Sequence, residues 1–139
     1  MSREHKYRAW DEEEGIYLNP EYFYITGEGR AFTCQQGRIS ITNRYQLMPT
    51  GRYTIEEYTG LKDKYGKKIY KGDIIRYISK YLEHPVDFEV VYYNGCYAQR
   101  HLDTKMEDMP EEATDAIYRY WNQLKVIGDI HENPELLKK

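Results

Sequence analysis

Apolar and polar residues alternate in short runs along most of this chain, and turn-forming residues separate the runs. Lys6–Trp10 and Ile16–Leu18 flank Asp11-Glu12-Glu13-Glu14-Gly15, where four acids close on a glycine as in a solvated hairpin connection. Asn19-Pro20 marks a break, Tyr22–Thr26 is aromatic and β-branched, and Gly27-Glu28-Gly29 leads into Ala31–Cys34. After Gly37 the run Arg38–Thr42 alternates. Arg44–Met48 carries a weaker strand signal before Pro49-Thr50-Gly51, and Tyr53–Tyr58 resumes the pattern. A period of two with frequent breakers predicts a meander of short antiparallel strands.

Further along, Asp63–Lys67 and Lys71-Gly72-Asp73 read as two tight turns before an apolar strand over Ile74–Tyr81. The run Phe88–His101 contains Asn94-Gly95, a pair that favours a two-residue type I′ turn and thereby sets a register. Tyr93 then faces Cys96, Val91 faces Ala98 and Glu89 faces Arg100. On the other surface Tyr92 faces Tyr97, Val90 faces Gln99 and Phe88 faces His101. The Cys96 side is small and apolar, with an ion pair at its open end.

The period changes once. Glu107, Asp108, Glu111, Glu112 and Asp115 cluster around Pro110, and Ala113, Ala116, Ile117, Tyr120 and Leu124 fall on one helical face. Proline and carboxylates suit a first helical turn, so one amphipathic helix is predicted over about 110–123. Leu124–Ile130 returns to strand, and Asn133-Pro134-Glu135 starts a last short turn carrying Leu136 and Leu137.

The phrase Tyr58-Thr59-Gly60-Leu61-Lys62-Asp63-Lys64-Tyr65-Gly66-Lys67-Lys68-Ile69-Tyr70-Lys71-Gly72-Asp73-Ile74-Ile75 packs three turn glycines and a strand start together. With Lys6–Asp11 near the start and Val126–Leu137 near the end it makes three blocks in a fixed order. On these blocks the chain resembles the YopX family of phage and prophage proteins. The resemblance spans nearly the whole chain, although residues 19–56 and 82–123 match in pattern only. It implies a YopX-like arrangement and a phage or prophage product acting in the cytoplasm of a bacterial host. A Gly-Asp pair opening an apolar strand, as at Gly72-Asp73, is also a device of SH3-like barrels.

The expected class is therefore mainly β, a β-rich α+β fold of short antiparallel strands with an SH3-like barrel in the C-terminal part and one main helix. A seam near Pro49–Gly51 divides an N-terminal β lobe, 1–51, from a C-terminal lobe, 52–139, within one compact unit. The length of 139 residues suffices to bury an apolar centre without staples. Hydrophobic residues at 40% with 31% charged fit a globular chain, and the net charge of -3 confines any polyanion site to a local patch. The start of the chain is charged and no long apolar run follows, which predicts a soluble, intracellular protein without a membrane partner.

Catalytic readings find little footing. Cys34 and Cys96 form no C-x-x-C pair. Cys96, His101 and Asp103 are close in sequence, but residues five apart on a regular strand point to opposite faces. Of the histidines His5, His84, His101 and His131, only His131 shares a strand face with an acid, Asp129, and two ligands do not make a metal site. The acidic runs Asp11–Glu14 and Glu107–Asp115 read as a loop and a helix start rather than opposed acids. Phosphate-loop, dinucleotide and serine-hydrolase motifs do not occur, so no enzyme activity, cofactor or metal is expected.

One constellation stands out. Lys62, Lys64, Lys67, Lys68, Lys71, Arg76 and Lys80 face only Asp63 and Asp73 in sequence, interleaved with Tyr58, Tyr65, Tyr70, Tyr77 and Tyr81. Within it Lys62, Lys64, Tyr65, Lys67, Lys68, Tyr70 and Lys71 are the candidate binding residues. Lysines can reach phosphates while tyrosine rings stack on bases. The same composition also suits a solvated, lysine-blunted strand edge, and sixteen tyrosines among twenty-one aromatics suit strand packing. The functional expectation is a non-enzymatic binding or regulatory accessory. Its partner is a host or phage protein or a second copy, with tyrosines at the contact and the acidic helix start opposite the lysines; the alternative is a nucleic-acid-binding protein using the Lys62–Lys80 strip, and the second alternative an uncharacterised enzyme.

Overall fold

Turn chemistry and strand alternation account for most of the architecture. The structure, a computed structural model, describes residues 5–28, 30–33, 46–47, 51–93, 95–109, 117 and 121–137. It is mainly β, and the chain divides into two units: Tyr7–Glu56, and Glu57–Lys139 together with Met1–Lys6.

In the 7–56 unit, β1 (Tyr7–Asp11) and β2 (Ile16–Tyr17) form a hairpin with Trp10 opposite Tyr17 and Asp11 opposite Ile16. Its connection works because Gly15 takes φ 69° and Asp11 Oδ1 accepts the N–H groups of Glu13 (3.0 Å) and Glu14 (3.2 Å). Asn19 caps a 3₁₀ turn, Pro20–Tyr22, by accepting the Glu21 N–H. A three-stranded antiparallel sheet follows in the order β3 (Phe23–Ile25), β4 (Ala31–Thr33), β5 (Gln46–Leu47). The strand expected over Arg38–Thr42 lies outside the described residues. Two buried acids are answered locally: Asp11 by two hydrogen bonds from Arg52 (3.2 and 3.1 Å), and Glu56 by Arg8 Nε (2.9 Å) and the Tyr17 hydroxyl (3.3 Å).

Strand β6 (Tyr53–Lys62) is shared, its first residues pairing in the sheet β2-β1-β6 and its last with β7 (Lys68–Tyr70). In the 57–139 unit a four-stranded antiparallel sheet has the order β10-β9-β8-β11, from β8 (Asp73–Tyr77), β9 (Val86–Tyr93), β10 (Cys96–His101) and β11 (Leu124–Asp129). The β9–β10 pairing follows the register that Asn94-Gly95 predicts, from Tyr93 opposite Cys96 to Phe88 opposite His101, with Gly95 at φ 81°. The Glu89–Arg100 ion pair forms at the open end.

Both faces of this sheet are covered. Val90 packs with Ile69, Ile75, Ile117, Leu124 and Val126, while Val91 and Ala98 on the other face pack with Met109. That explains why β9 alternates over Val86–Val90 but places two apolar residues, Val90 and Val91, side by side where both faces are buried. The strand expected over Ile74–Tyr81 ends at Tyr77 instead. The Ile78 N–H donates to Gln123 O, and the Ser79 hydroxyl accepts the Tyr81 N–H, so the backbone turns where a side chain offers it an alternative partner. The helix expected over 110–123 lies mostly outside the described residues. Of the described residues in that span, Ile117 is helical and fully buried, and Trp121–Gln123 forms a 3₁₀ turn.

Candidate functional site

The lysine-tyrosine segment is carried by the β6–β7 hairpin, and the hairpin is held by its acids. Asp63 is only 3% exposed. Its Oδ1 accepts the N–H groups of Tyr65 and Lys67 (both 2.9 Å), and its Oδ2 accepts the N–H of Val126 (2.9 Å). The Lys64 N–H donates to Leu124 O (3.0 Å), so the turn is tied to β11 by both side chain and backbone. Gly66 makes the turn at φ 84°.

The next turn uses the same chemistry. Asp73, also buried, accepts the Tyr70 N–H through Oδ2 (2.8 Å), and Gly72 takes φ 91°. The Gly72 N–H donates to Val90 O and its carbonyl accepts the Ile130 N–H. At the end of β11, Asp129 Oδ1 accepts the N–H groups of His131 and Glu132 (both 2.9 Å), and Asn133 Oδ1 accepts the Asp129 N–H (3.2 Å). Asp129 therefore serves a turn, and its pairing with His131 runs through the His131 backbone. Cys96 donates to Tyr93 O (3.5 Å), while the His101 ring meets Phe88 edge-on and accepts the Asp103 N–H at Nδ1 (3.2 Å). With β10 unbulged between them, Cys96 and His101 point to opposite faces.

The seven candidate residues separate into two groups. Lys62, Lys64, Tyr65 and Lys67 are exposed around the first turn, with Tyr65 at 66%. Lys68 is half-buried, stands opposite Lys62 in the ladder and places its ammonium 5.7 Å from the Tyr58 ring. Tyr70 is half-buried and packs its ring on the buried Tyr58, ring centroids 5.6 Å apart. Lys71 is exposed at the second turn. Of the wider strip, Tyr77 packs on the core, Tyr81 is 84% exposed in the β8–β9 loop beside Lys80, and Arg76 is committed to Asp87 by two hydrogen bonds (2.8 and 3.1 Å). Those bonds raise the Arg76 guanidinium above its ordinary value, burial opposing them.

One member escapes a reading by sequence proximity. Lys125, exposed on β11, brings its ammonium to 5.7 Å from the Tyr65 ring, and Lys64 stands 5.2 Å from the same ring. Among the described residues, no carboxylate lies within ion-pair distance of Lys62, Lys64, Lys67 or Lys125. The site is thus an exposed ring carrying the Lys64 and Lys125 ammonium groups, with Lys62 and Lys67 exposed on the same pinned turn. Glu107 and Asp108 of the acidic segment form an exposed 3₁₀ turn, Met106–Asp108; Glu111, Glu112 and Asp115 lie outside the described residues. Also among the described residues, no helix is long and apolar enough to cross a membrane, and no three His, Cys, Asp or Glu side chains gather as metal ligands.

Comparison with known proteins bears on the whole chain. The sequence profile of one family, described as YopX protein, matches residues 6–138. The crystal structure of protein EF1440 from Enterococcus faecalis is similar at 28% identity and TM-score 0.61, over 99% of this chain and 100% of that one. The crystal structure of protein yopX from Bacillus subtilis is similar at 22% identity and TM-score 0.61, over 96% and 95% of the two chains. No curated protein matches the chain.

Proposed function

Because the chain belongs to the YopX family, and because its exposed lysines gather at one pinned turn, we propose that it is a non-enzymatic module that binds an anionic macromolecule through the β6–β7 turn. The observation that carries this reading is the exposed turn with Lys62, Lys64 and Lys67, joined by Lys125 at the Tyr65 ring, none of which has a carboxylate within ion-pair distance among the described residues. Among the described residues these ammonium groups have no carboxylate partner, and a polyanion would supply anionic partners while releasing its own counterions. Asp63 and Asp73, which count against the lysines in a sum over the sequence, turn their oxygens inward to backbone N–H groups.

The non-enzymatic part rests on where the reactive side chains go: Cys96 and His101 face apart, and Asp129 is occupied by its turn. In the same proposal the protein is a phage or prophage accessory acting in the bacterial cytoplasm, and the strands of the 57–139 unit follow an SH3-like plan in which Gly72-Asp73 opens β8.

Binding to heparin and to mixed oligonucleotides tests the reading. With four lysines engaged on a single strand, affinity is expected to fall about fiftyfold between about 50 and 200 mM salt. The Lys64→Glu/Lys67→Glu variant is expected to lose binding at least about tenfold. Absence of polyanion binding at low salt would sink the reading and turn attention to a protein partner, from host or phage, or to a second copy.

A further inference from the structure

We propose that the anion recognised at the β6–β7 turn is single-stranded nucleic acid, with Tyr65 as the ring on which a base stacks; the inference rests on the polyanion reading above. The lysines alone would accept any polyanion. Tyr65 narrows the choice, because its ring is 66% exposed at the tip of a turn and carries two lysine ammonium groups over it rather than packing in the core. The turn is not floppy: the Asp63 carboxylate and the Lys64 N–H fix it to β11, so the ring is presented by a scaffold rather than left to collapse.

Lys64 and Lys125 place their ammonium groups over the Tyr65 ring, 5.2 and 5.7 Å from its centroid; a base that stacks on this exposed ring takes the place of an ammonium, and the displaced lysine remains beside it for a phosphate. Double-stranded nucleic acid keeps its base faces stacked inside, and would use the lysines while leaving the ring idle. An acidic protein surface would answer the lysines with carboxylates and could offer the ring an aromatic or arginine side chain, whereas a single strand supplies a phosphate and a base face with every nucleotide. All the cations at the turn are lysines, which act as point charges without the bidentate fork used to read base edges. Binding is therefore expected to tolerate sequence.

The experiment is fluorescence anisotropy with oligothymidylate of about a dozen nucleotides, the abasic oligomer of equal length, a duplex and heparin, on the intact chain and on Tyr65→Ala and Tyr65→Phe. Oligothymidylate is expected to bind more tightly than its abasic counterpart. Tyr65→Ala should weaken it by about fivefold to 150-fold, a larger factor than for the abasic oligomer or heparin, and Tyr65→Phe should retain it. Equal binding of base-bearing and abasic oligomers, or of duplex and single strand, or indifference to Tyr65→Ala would overturn the inference and leave the polyanion reading standing. No binding to heparin or to any oligomer would remove both. Because Tyr65 is exposed, both variants should keep the circular dichroism and melting temperature of the parent chain, which separates loss of contact from loss of fold.

Discussion

Replacing Asp63 by Ala would leave three N–H groups, those of Tyr65, Lys67 and Val126, without their acceptor at a buried point. A hydrogen bond to a charged group contributes more than one between neutral groups, and the loss is expected to be about 3 kcal/mol in urea unfolding. Asp63→Asn should lose about half that: its amide oxygen can still serve one side, but its NH₂ group then meets a donor. Equal stability of the two variants would mean that the carboxylate does not organise the turn. Asp63 is also where residue-by-residue reading fell short, since a carboxylate between lysines looks in sequence like a charge offsetting them. Sequence shows composition but not direction, and the inward turn of Asp63 depends on Val126, sixty-three positions away. Lys125 was hidden for the same reason: its contact with Tyr65 exists only once β11 lies beside the turn.

At the scale of elements, legibility followed how local the determining physics is. The β9–β10 register could be read because a two-residue turn sets every pair that follows it, and the β1–β2 connection because four polar residues and Gly15 suffice to make it. The end of β8 could not, because it depends on the Gln123 carbonyl, brought near by β11, and on the competing Ser79 hydroxyl. The bulge between Val126 and Gly128 was equally out of reach. It sets Gly128 so that an added Cβ would come 2.5 Å from Asn133 Oδ1, the oxygen that accepts the Asp129 N–H. Gly128→Ala is accordingly expected to cost about 2 kcal/mol through crowding rather than through backbone strain. In an Asn133→Ala background the same change should cost less by about 1 kcal/mol or more, a coupling that a double-mutant cycle on urea midpoints would measure. Additive effects would show that the two residues do not meet.

For the molecule as a whole, a net charge of -3 and a basic turn coexist because charge is distributed by face, so pH acts on the fold through particular carboxylates rather than through the net value. Asp11 is the clearest case. Hydrogen bonds from Arg52 hold its carboxyl below the ordinary 3.8; burial opposes them, and the N–H groups of Glu14 and Glu13 add to them. A group whose value is depressed by folding contributes its full stability above its unfolded value, and loses that contribution as pH falls through the lower folded value. Acid should therefore loosen the 7–56 unit from pH values near and below 3.8, with the Glu13 and Glu14 amides among the first to lose protection in hydrogen exchange. Arg52→Ala is expected to lower stability at neutral pH, where Asp11 would be left buried and charged, and to flatten the acid limb because the depression largely disappears. An acid limb of unchanged steepness in Arg52→Ala would mean that other carboxylates govern the transition.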